Sequence, residues 1–395
     1  MRCIEILQTA TQKNLQNVHR RRQHAVWRAV AGAIQGRQLC LTSLGRALPG
    51  STTDKHRIKA VDRLLGNRAL HRELETFYRA LAAWLLKRVK TPIIAVDWTG
   101  AGAHHYELSA KLCSDGRALP LYSLVFPKND YGTVRAHRRF LLGLASIVPR
   151  DCTPILVTDA GFHYNWFDEV TWLGWHYIGR VRGRSQVYVN GAWRPIQTLY
   201  QRARRKPQNL GRLMVPRRKP QVRRLVLSQL PKLKGRKRLT HRGTPGRRAT
   251  DIKAAKAARE PWLLATSLES NPKFVVRAYS LRMQIEETFR DQKSYRNGLS
   301  MHLATTRSCE RMAVLILIAS LAKIVVQLVG RAVAGTRVAR QFQANTVRHR
   351  RVFSFFFLGC RALQQHWAPT DARLRAAIHE CLATLQTNAQ DFATG

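Results

Sequence analysis

An α/β core interrupted by a basic insertion and flanked by helical N- and C-terminal regions is the fold class that this sequence predicts. Three observations carry it. Residues 91–181 alternate apolar runs with helical spacings in the order βββαβαβ, residues 184–258 abandon that rhythm, and both ends of the chain read as helix. A chain of 395 residues with 45% hydrophobic content buries a large core in two or three domains. The expected divisions are a helical region over 1–88, the α/β core over 89–300 with a basic insertion at about 184–262, and a helical region over 301–395.

Taken in order, Gln23 to Ile34 has helical spacing, and LTSLGRAL (41–48) is a short helix whose expected cap is Thr42 or Ser43. After Pro49-Gly50, Thr52 or Thr53 caps a helix that turns Ile58, Val61, Leu64 and Leu65 inward. Its polar side carries Lys55, His56, Arg57, Lys59 and Arg63. Ile93 to Val96 is a continuous apolar run ending in Asp97, the pattern of a strand buried on both faces. His105 to Leu112 alternates, Ser114-Asp115-Gly116 supplies a turn, and Leu119 to Phe126 returns as a strand. Thr133 opens a helix through Phe140, Leu141, Leu144 and Val148. Ile155 to Val157 is a second buried strand ending in an acid, Asp159, followed by a helix at 165–173 and a strand at 176–181. Within the insertion, Gln221 to Leu230 reads as a strand and Lys232 to Arg248 as a solvated basic loop. Trp262 to Ser267 is again an apolar strand, Arg311 to Val329 a buried helix, Phe342 to Arg351 a basic helix, and Arg373 to Leu385 a closing helix.

The formal net charge is +45, from 68 Lys and Arg against 23 acids, and that excess implies a polyanion, most economically nucleic acid. The short helix, turn and basic helix at 41–65 have the outline of a helix-turn-helix DNA reader, with Lys55, Arg57 and Lys59 as candidate contacts. Positions 201–250 hold eighteen Lys and Arg and no acid, so this insertion, Arg204 included, is expected to lie against phosphates. Seven scattered cysteines with no CxxC pair argue against a disulfide framework and a structural zinc site, and imply a reduced cytoplasmic setting. The N-terminus lacks the apolar stretch of a signal peptide, and Lys323 and Gln327 interrupt the most hydrophobic run, so no membrane span is expected.

The candidate chemistry centres on YSLRMQIEETFRDQK (279–293). On a helix at about 100° per residue, Tyr279, Arg282, Glu286 and Lys293 fall in one sector with Arg290 at its edge, while Leu281, Ile285 and Phe289 form an adjoining apolar stripe. One carboxylate is then held among three cations and a phenol on an exposed face. Ligand sites of α/β sheets gather beyond strand carboxyl ends, where Asp97 and Asp159 are expected. Asp97, Asp159 and Glu286 suit two Mg²⁺ ions, with Mn²⁺ as substitute, since hard divalent cations take oxygen ligands and two of them serve in-line displacement at phosphorus. His104, His105 and His163 are nearby alternatives as ligands. No GxSxG elbow, Walker A loop or catalytic cysteine signature is present.

Tyr279, Arg282, Glu286 and Lys293 fit Y-x2-R-x3-E-x6-K without a gap, and here the chain resembles one large family of bacterial insertion-sequence transposases with the DDE triad. VDWT at Asp97 and TDAGF at Asp159 are similar to that family's first two catalytic blocks, and LTSLGRALP, RIKAVDRLLGN, EPWLLATSL and FQANTVRHR extend the likeness over nearly the whole chain. The resemblance implies an RNase H-like catalytic core interrupted by a β-rich insertion at about 184–262. It implies that Asp97, Asp159 and Glu286 coordinate the metals, that Tyr279, Arg282 and Lys293 contact phosphates at the transposon end, and that Trp262 stacks on a flipped base. It further implies cut-and-paste transposition through a DNA hairpin, double-stranded DNA (transposon ends and target) as partner, a homodimer in a synaptic complex, and a bacterial, nucleoid-associated location. A DNA end or junction nuclease of the same fold, and a non-enzymatic basic DNA-binding regulator, remain open readings at this point.

Overall fold

The computed structural model describes residues 2–229, 260–344, 346–347 and 349–390. Five N-terminal helices, α1 (Arg2–Gln12), α2 (Arg20–Gly36), α3 (Leu41–Arg46), α4 (Asp54–Leu65) and α5 (Arg68–Leu85), precede strands β1 (Ile93–Ala101), β2 (His105–Leu112) and β3 (Leu119–Pro127). Next come α6 (Val134–Ile147), β4 (Ile155–Thr158), α7 (Tyr164–Trp172), β5 (His176–Arg180), β6 (Gln186–Val189), β7 (Ala192–Pro195), β8 (Gln208–Val215), β9 (Gln221–Ser228) and β10 (Trp262–Thr266). The chain closes with α8 (Pro272–Leu281), α9 (Met283–Lys293), α10 (Cys309–Ala334), α11 (Arg337–Gln341), α12 (Phe355–Gln364) and α13 (Asp371–Gln390). The mixed α/β chain divides into two compact units, one of residues 2–156 with 281–390 and one of residues 157–280.

In the first unit, β1, β2 and β3 form an antiparallel run in the spatial order β3-β2-β1. Thr153 and Ile155 donate to the carbonyls of Lys90 and Pro92 in step, so β4 starts parallel to β1. The expected strand ending at Asp97 is longer than its apolar run: β1 continues to Ala101, and Asp97 lies within it opposite Ser109 of β2. Four further residue pairs of the β1–β2 hairpin, from Trp98↔Leu108 to Ala101↔His105, hold that extension in place. Thr133 caps α6 as expected, its hydroxyl accepting from the Ala136 N–H at 3.2 Å.

The core of this unit is α10, buried along its length as its apolar run anticipates. It is long and apolar enough to cross a membrane by composition alone, yet 94% of its apolar window is buried inside the protein. Ser308 caps it, accepting from the Arg311 N–H at 3.2 Å. Backbones of α10 and α12 meet at Gly330 and Gly359. A Cβ at Gly330 would lie 1.7 Å from the Phe355 carbonyl oxygen, and one at Gly359 would lie 1.9 Å from that of Val326.

Beneath this apolar layer runs a polar one. His105, Glu107, Ser109 and Lys111 share one face of β2, and none is more than 4% exposed. Glu107 accepts from the Ser123 hydroxyl at 2.8 Å and from the Gln292 amide of α9 at 2.8 Å, while Lys323 of α10 donates to the Gln292 carbonyl oxygen at 2.5 Å. The Lys111 ammonium sits 3.9 Å from the centre of the Phe289 ring, and burial holds its pKa well below the usual value.

Three N- and C-terminal expectations are corrected. Cys40, not Thr42 or Ser43, stands at the N-cap of α3, because the helix already starts at Leu41. Thr53 is at the N-cap of α4, but its hydroxyl pairs with the His56 ring at 2.7 Å instead of capping a backbone N–H. The basic helix expected over 342–351 is absent among the described residues. Gln343 turns its amide onto the Val347 carbonyl at 2.6 Å, and Arg351 leaves the run to lie 3.5 Å over the Phe355 ring and 3.2 Å from Asp115. Local side-chain bonds and repulsion among like charges compete there with helix.

In the second unit β5, β10, β9 and β8 form an antiparallel run, with α7 packed on β5 and β6–β7 as a separate hairpin. The sequence reading found β9 but missed β6, β7 and β8. Asn190-Gly191, both at positive φ between QVYV and AWRP, was a readable hairpin signal. The basic loop expected at 232–248 lies outside the described residues.

Two stability tests follow from the first unit. Gly330→Ala is expected to destabilise it by about 3 kcal/mol, the upper range for overpacking, because backbone is what the new methyl meets; thermal unfolding within 1 °C of wild type, a shift of only about 0.3 kcal/mol, would refute the close crossing. The second test concerns Glu107. Burial pushes this carboxyl up, but Lys111, Lys323 and the hydrogen bonds from Ser123 and Gln292 outweigh it and hold it below its ordinary value. A carboxyl depressed on folding adds stability that is present above the ordinary glutamate value, about 4.3, and lost as pH falls through the lower folded value. Glu107→Gln should therefore be less stable at neutral pH and show a flatter acid limb in urea titrations across pH, whereas an unchanged limb would show that Glu107 is not its source.

Candidate active site

The stretch 279–293 is not one continuous helix. The ladder breaks at Arg282, where α8 ends and α9 begins, and Ile285 donates back to the Arg282 carbonyl at 3.0 Å. The expected apolar stripe is used in α9, where Ile285 and Phe289 are buried. Its neighbouring face is also buried and is polar. Gln284 forms a two-way bond with the Ser114 backbone, at 2.8 Å from its N–H and 2.9 Å to its carbonyl. Thr288 donates to the Ala118 carbonyl at 3.1 Å, and Gln292 joins Glu107 to Lys323. Arg117 clasps the flank of α9 through Asp291 at 2.8 Å and Glu287 at 3.5 Å.

With those faces turned inward, Glu286 is left on the open side, and Arg282 one turn before it. The exposed cationic face expected for this stretch is corrected: Arg282 is only 8% exposed and Tyr279 is buried. Arg290 pairs with Glu287 at 2.8 Å, not with Glu286. The Arg282 guanidinium donates to Glu286 Oε1 at 2.7 Å and lies 3.6 Å from Asp97 Oδ2. Asp97 also accepts from the Trp98 N–H at 2.8 Å. Two of the three expected carboxylates thus converge on one cation, which screens a repulsion that would otherwise be severe in this half-buried place. Lys293 is half-buried on the same helix. Burial draws its pKa down, while the charges of Glu107 and Asp97 oppose that shift.

Asp159 belongs to the second unit, directly after β4, where its carboxylate accepts from the Gly161 N–H at 2.8 Å and is half-exposed. Trp262 opens β10 in that unit and meets Tyr279 edge to face, ring centres 4.7 Å apart. His105 is buried with its ring on the Arg307 carbonyl at 3.1 Å, and burial lowers its pKa, whereas His104 and His163 are exposed. Among the described residues no group of three or more His, Cys, Asp or Glu stands together as a ready ligand set for a metal. On α4, Lys55 and Lys59 are exposed, but Arg57 is half-buried, donating to the Leu48 carbonyl at 3.1 Å and pairing with Asp54.

Sequence reasoning missed the polar seat of α9. HYELSAKL placed Glu107, Ser109 and Lys111 on one face of its strand, but alternation alone assigns such a face to water. The buried Lys323 was noticed only as an interruption of an apolar run.

A comparison with curated proteins returns no match. The model of the family described as "Transposase DDE domain" matches residues 88–322, a span that holds Asp97, Asp159, Trp262, Tyr279, Arg282, Glu286 and Lys293 and covers more than half of the chain. The paired carboxylates of β1 and α9 and this match lead to one conclusion: the chain belongs to the DDE transposase domain family.

Proposed function

We propose that this transposase excises an insertion sequence from donor DNA and joins it to target DNA by metal-dependent phosphoryl transfer, with Asp97, Asp159 and Glu286 as its catalytic carboxylates. The observation that carries the proposal is the convergence of Asp97 and Glu286 on Arg282. Their oxygens are hard donors, and the position between them already holds a positive charge, so this donor set fits a divalent cation. Asp97 and Glu286, with Asp159 as third ligand, would hold Mg²⁺, or Mn²⁺ in its place. Such ions activate an attacking oxygen and stabilise a leaving one at phosphorus.

The remaining roles belong to this chain's own side chains. Arg282 keeps two carboxylates neutralised in the protein without DNA, and its planar fork suits a phosphate of the transposon end. Lys293 supplies a second cation on the same helix, and its partial burial makes an anionic ligand the more favourable for it. Tyr279 and Trp262 pack together, so that an indole held by a neighbouring ring offers a stacking surface to a displaced base. The reaction course is hydrolysis of one strand, attack of the freed 3′-hydroxyl on the other strand to give a hairpin, reopening by water, and joining to target.

The proposal extends to organisation. The order β3-β2-β1 with β4 parallel to β1 supports an RNase H-like core, and β6 to β9 a β-rich insertion within it. Residues 1–88 serve as a DNA-binding region through Lys55 and Lys59, with Arg57 holding that helix in place. Residues 301–395 serve pairing of two protomers in a synaptic complex. All seven cysteines stand unpaired, which suits a reducing bacterial cytoplasm near the nucleoid.

Glu286→Gln and Asp97→Asn are expected to bind a transposon-end duplex within a few-fold of wild type and to cut it at least about 1,000-fold more slowly with Mg²⁺, as loss of charge stabilisation at the reacting centre dictates. Cutting at the wild-type rate by either variant sinks the assignment, and cutting without joining to target DNA would identify an end nuclease instead. Lys293→Ala should weaken end binding and reduce the slope of log affinity against log salt by about one. An unchanged slope would remove Lys293 from the phosphate contacts.

A further inference from the structure

We propose that Gln284, Thr288 and Gln292, with Glu107 and Lys323 beneath them, are positioning residues that set the register of α9 and so fix Glu286 relative to Asp97. The inference rests on the catalytic reading of those two carboxylates. Its basis is that the helix carrying Glu286 is seated on hydrogen bonds as well as on apolar contact.

Gln284, Thr288 and Gln292 recur at every fourth position and are 9%, 0% and 1% exposed. Leucine is the ordinary occupant of such a stripe. Each of the three instead makes directional bonds: Gln284 with both backbone groups of Ser114, Thr288 with the Ala118 carbonyl, and Gln292 with Glu107 and Lys323. These anchors span about 12 Å of helix. Apolar packing tolerates a small slide or rotation, but this set does not. A shift of one residue turns the helix by about 100°, takes the α9 partners from three backbone groups of Ser114 and Ala118, and costs Glu107 and Lys323 one hydrogen bond each.

The same strand indexes both carboxylates. Asp97 is placed by backbone pairing with Ser109 of β2, and Glu107, two residues earlier on β2, receives the Gln292 amide of α9. The loop that follows β2 holds Gln284, two residues before Glu286. β2 therefore acts as a common ruler for the two side chains that meet at Arg282. Burying Glu107 and Lys323 is costly, and apolar side chains of like volume often fill such a place with equal or greater stability. A role in geometry accounts for keeping them.

The test replaces the layer without orphaning a charge, by the fourfold substitution Glu107→Leu, Lys111→Met, Gln292→Leu and Lys323→Met in the full chain. Thr288→Val, nearly isosteric, serves as the second variant should the fourfold one fail to fold. Thermal unfolding, affinity for a transposon-end duplex, single-turnover cleavage at saturating DNA and Mg²⁺, and Mn²⁺ affinity by electron paramagnetic resonance are compared. The expected result for the fourfold variant is unfolding at or above the wild-type temperature, duplex affinity within threefold, cleavage slower by about 100-fold as for an ångström-scale misplacement, and weaker Mn²⁺ binding. Thr288→Val should show the same pattern at about 10-fold, because one anchor of the set is lost. Folded variants that cut and bind Mn²⁺ like wild type overturn the inference, as does a rate loss that merely follows the loss of folded protein. A wild-type protein that neither cuts DNA nor binds Mn²⁺ overturns the catalytic reading itself, a distinct outcome visible before any variant is made.

Discussion

Two carboxylates brought close on a strand and a helix repel each other, and in this protein the Arg282 guanidinium is the group that permits them to meet. Much else in the first unit is arranged around that contact. The helical ladder breaks at Arg282, yet its backbone stays helical and its side chain lies between Asp97 and Glu286. α9 turns its other faces inward, and Glu286 is left at the open side with one partner. A cation held by a flexible side chain keeps the site charged and assembled in the absence of DNA, yet it yields to a stronger electrostatic partner.

The support beneath is of a different kind. Apolar burial of α10 and the close α10–α12 crossing at Gly330 and Gly359 supply cohesion to the unit. The polar layer of Glu107, Lys111, Gln292 and Lys323 supplies direction, since each member has a defined partner or ring to face. Cohesion and direction meet along α9, whose apolar residues Ile285 and Phe289 lie beside the polar ones. In the second unit Trp262 and Tyr279 share an edge-to-face contact, which gives an indole at a strand start a fixed neighbour.

Much of this was legible in the residues. Strand β2 and helices α6 and α10 follow their hydrophobic spacing to within a few residues, because burial on one or both faces leaves little choice of element. The candidates Asp97, Arg282, Glu286 and Lys293 were singled out by an acid in an apolar run and by a spacing close to whole helical turns, and the structure brings Asp97, Arg282 and Glu286 together. The errors fall where local bonds override spacing: the Arg282 break, the extension of β1 past Asp97, the Cys40 start of α3, and the irregular chain beyond α11. Short strands β6 and β7 escaped because four residues each carry little alternation, and β8 because its irregularity around Gly211 interrupts the pattern.

The sequence by itself determined a charge of +45 and the acids and cations of the candidate site, because charge and residue type are independent of folding. Only the tertiary structure decided which groups face one another. Glu286 is joined to Asp97 through Arg282 and not to Arg290, and Glu107, Ser109 and Lys111 face a buried helix and not water. The reason is that periodicity names the face on which a side chain lies, while the element packed against that face decides whether it meets solvent, core or an opposite charge.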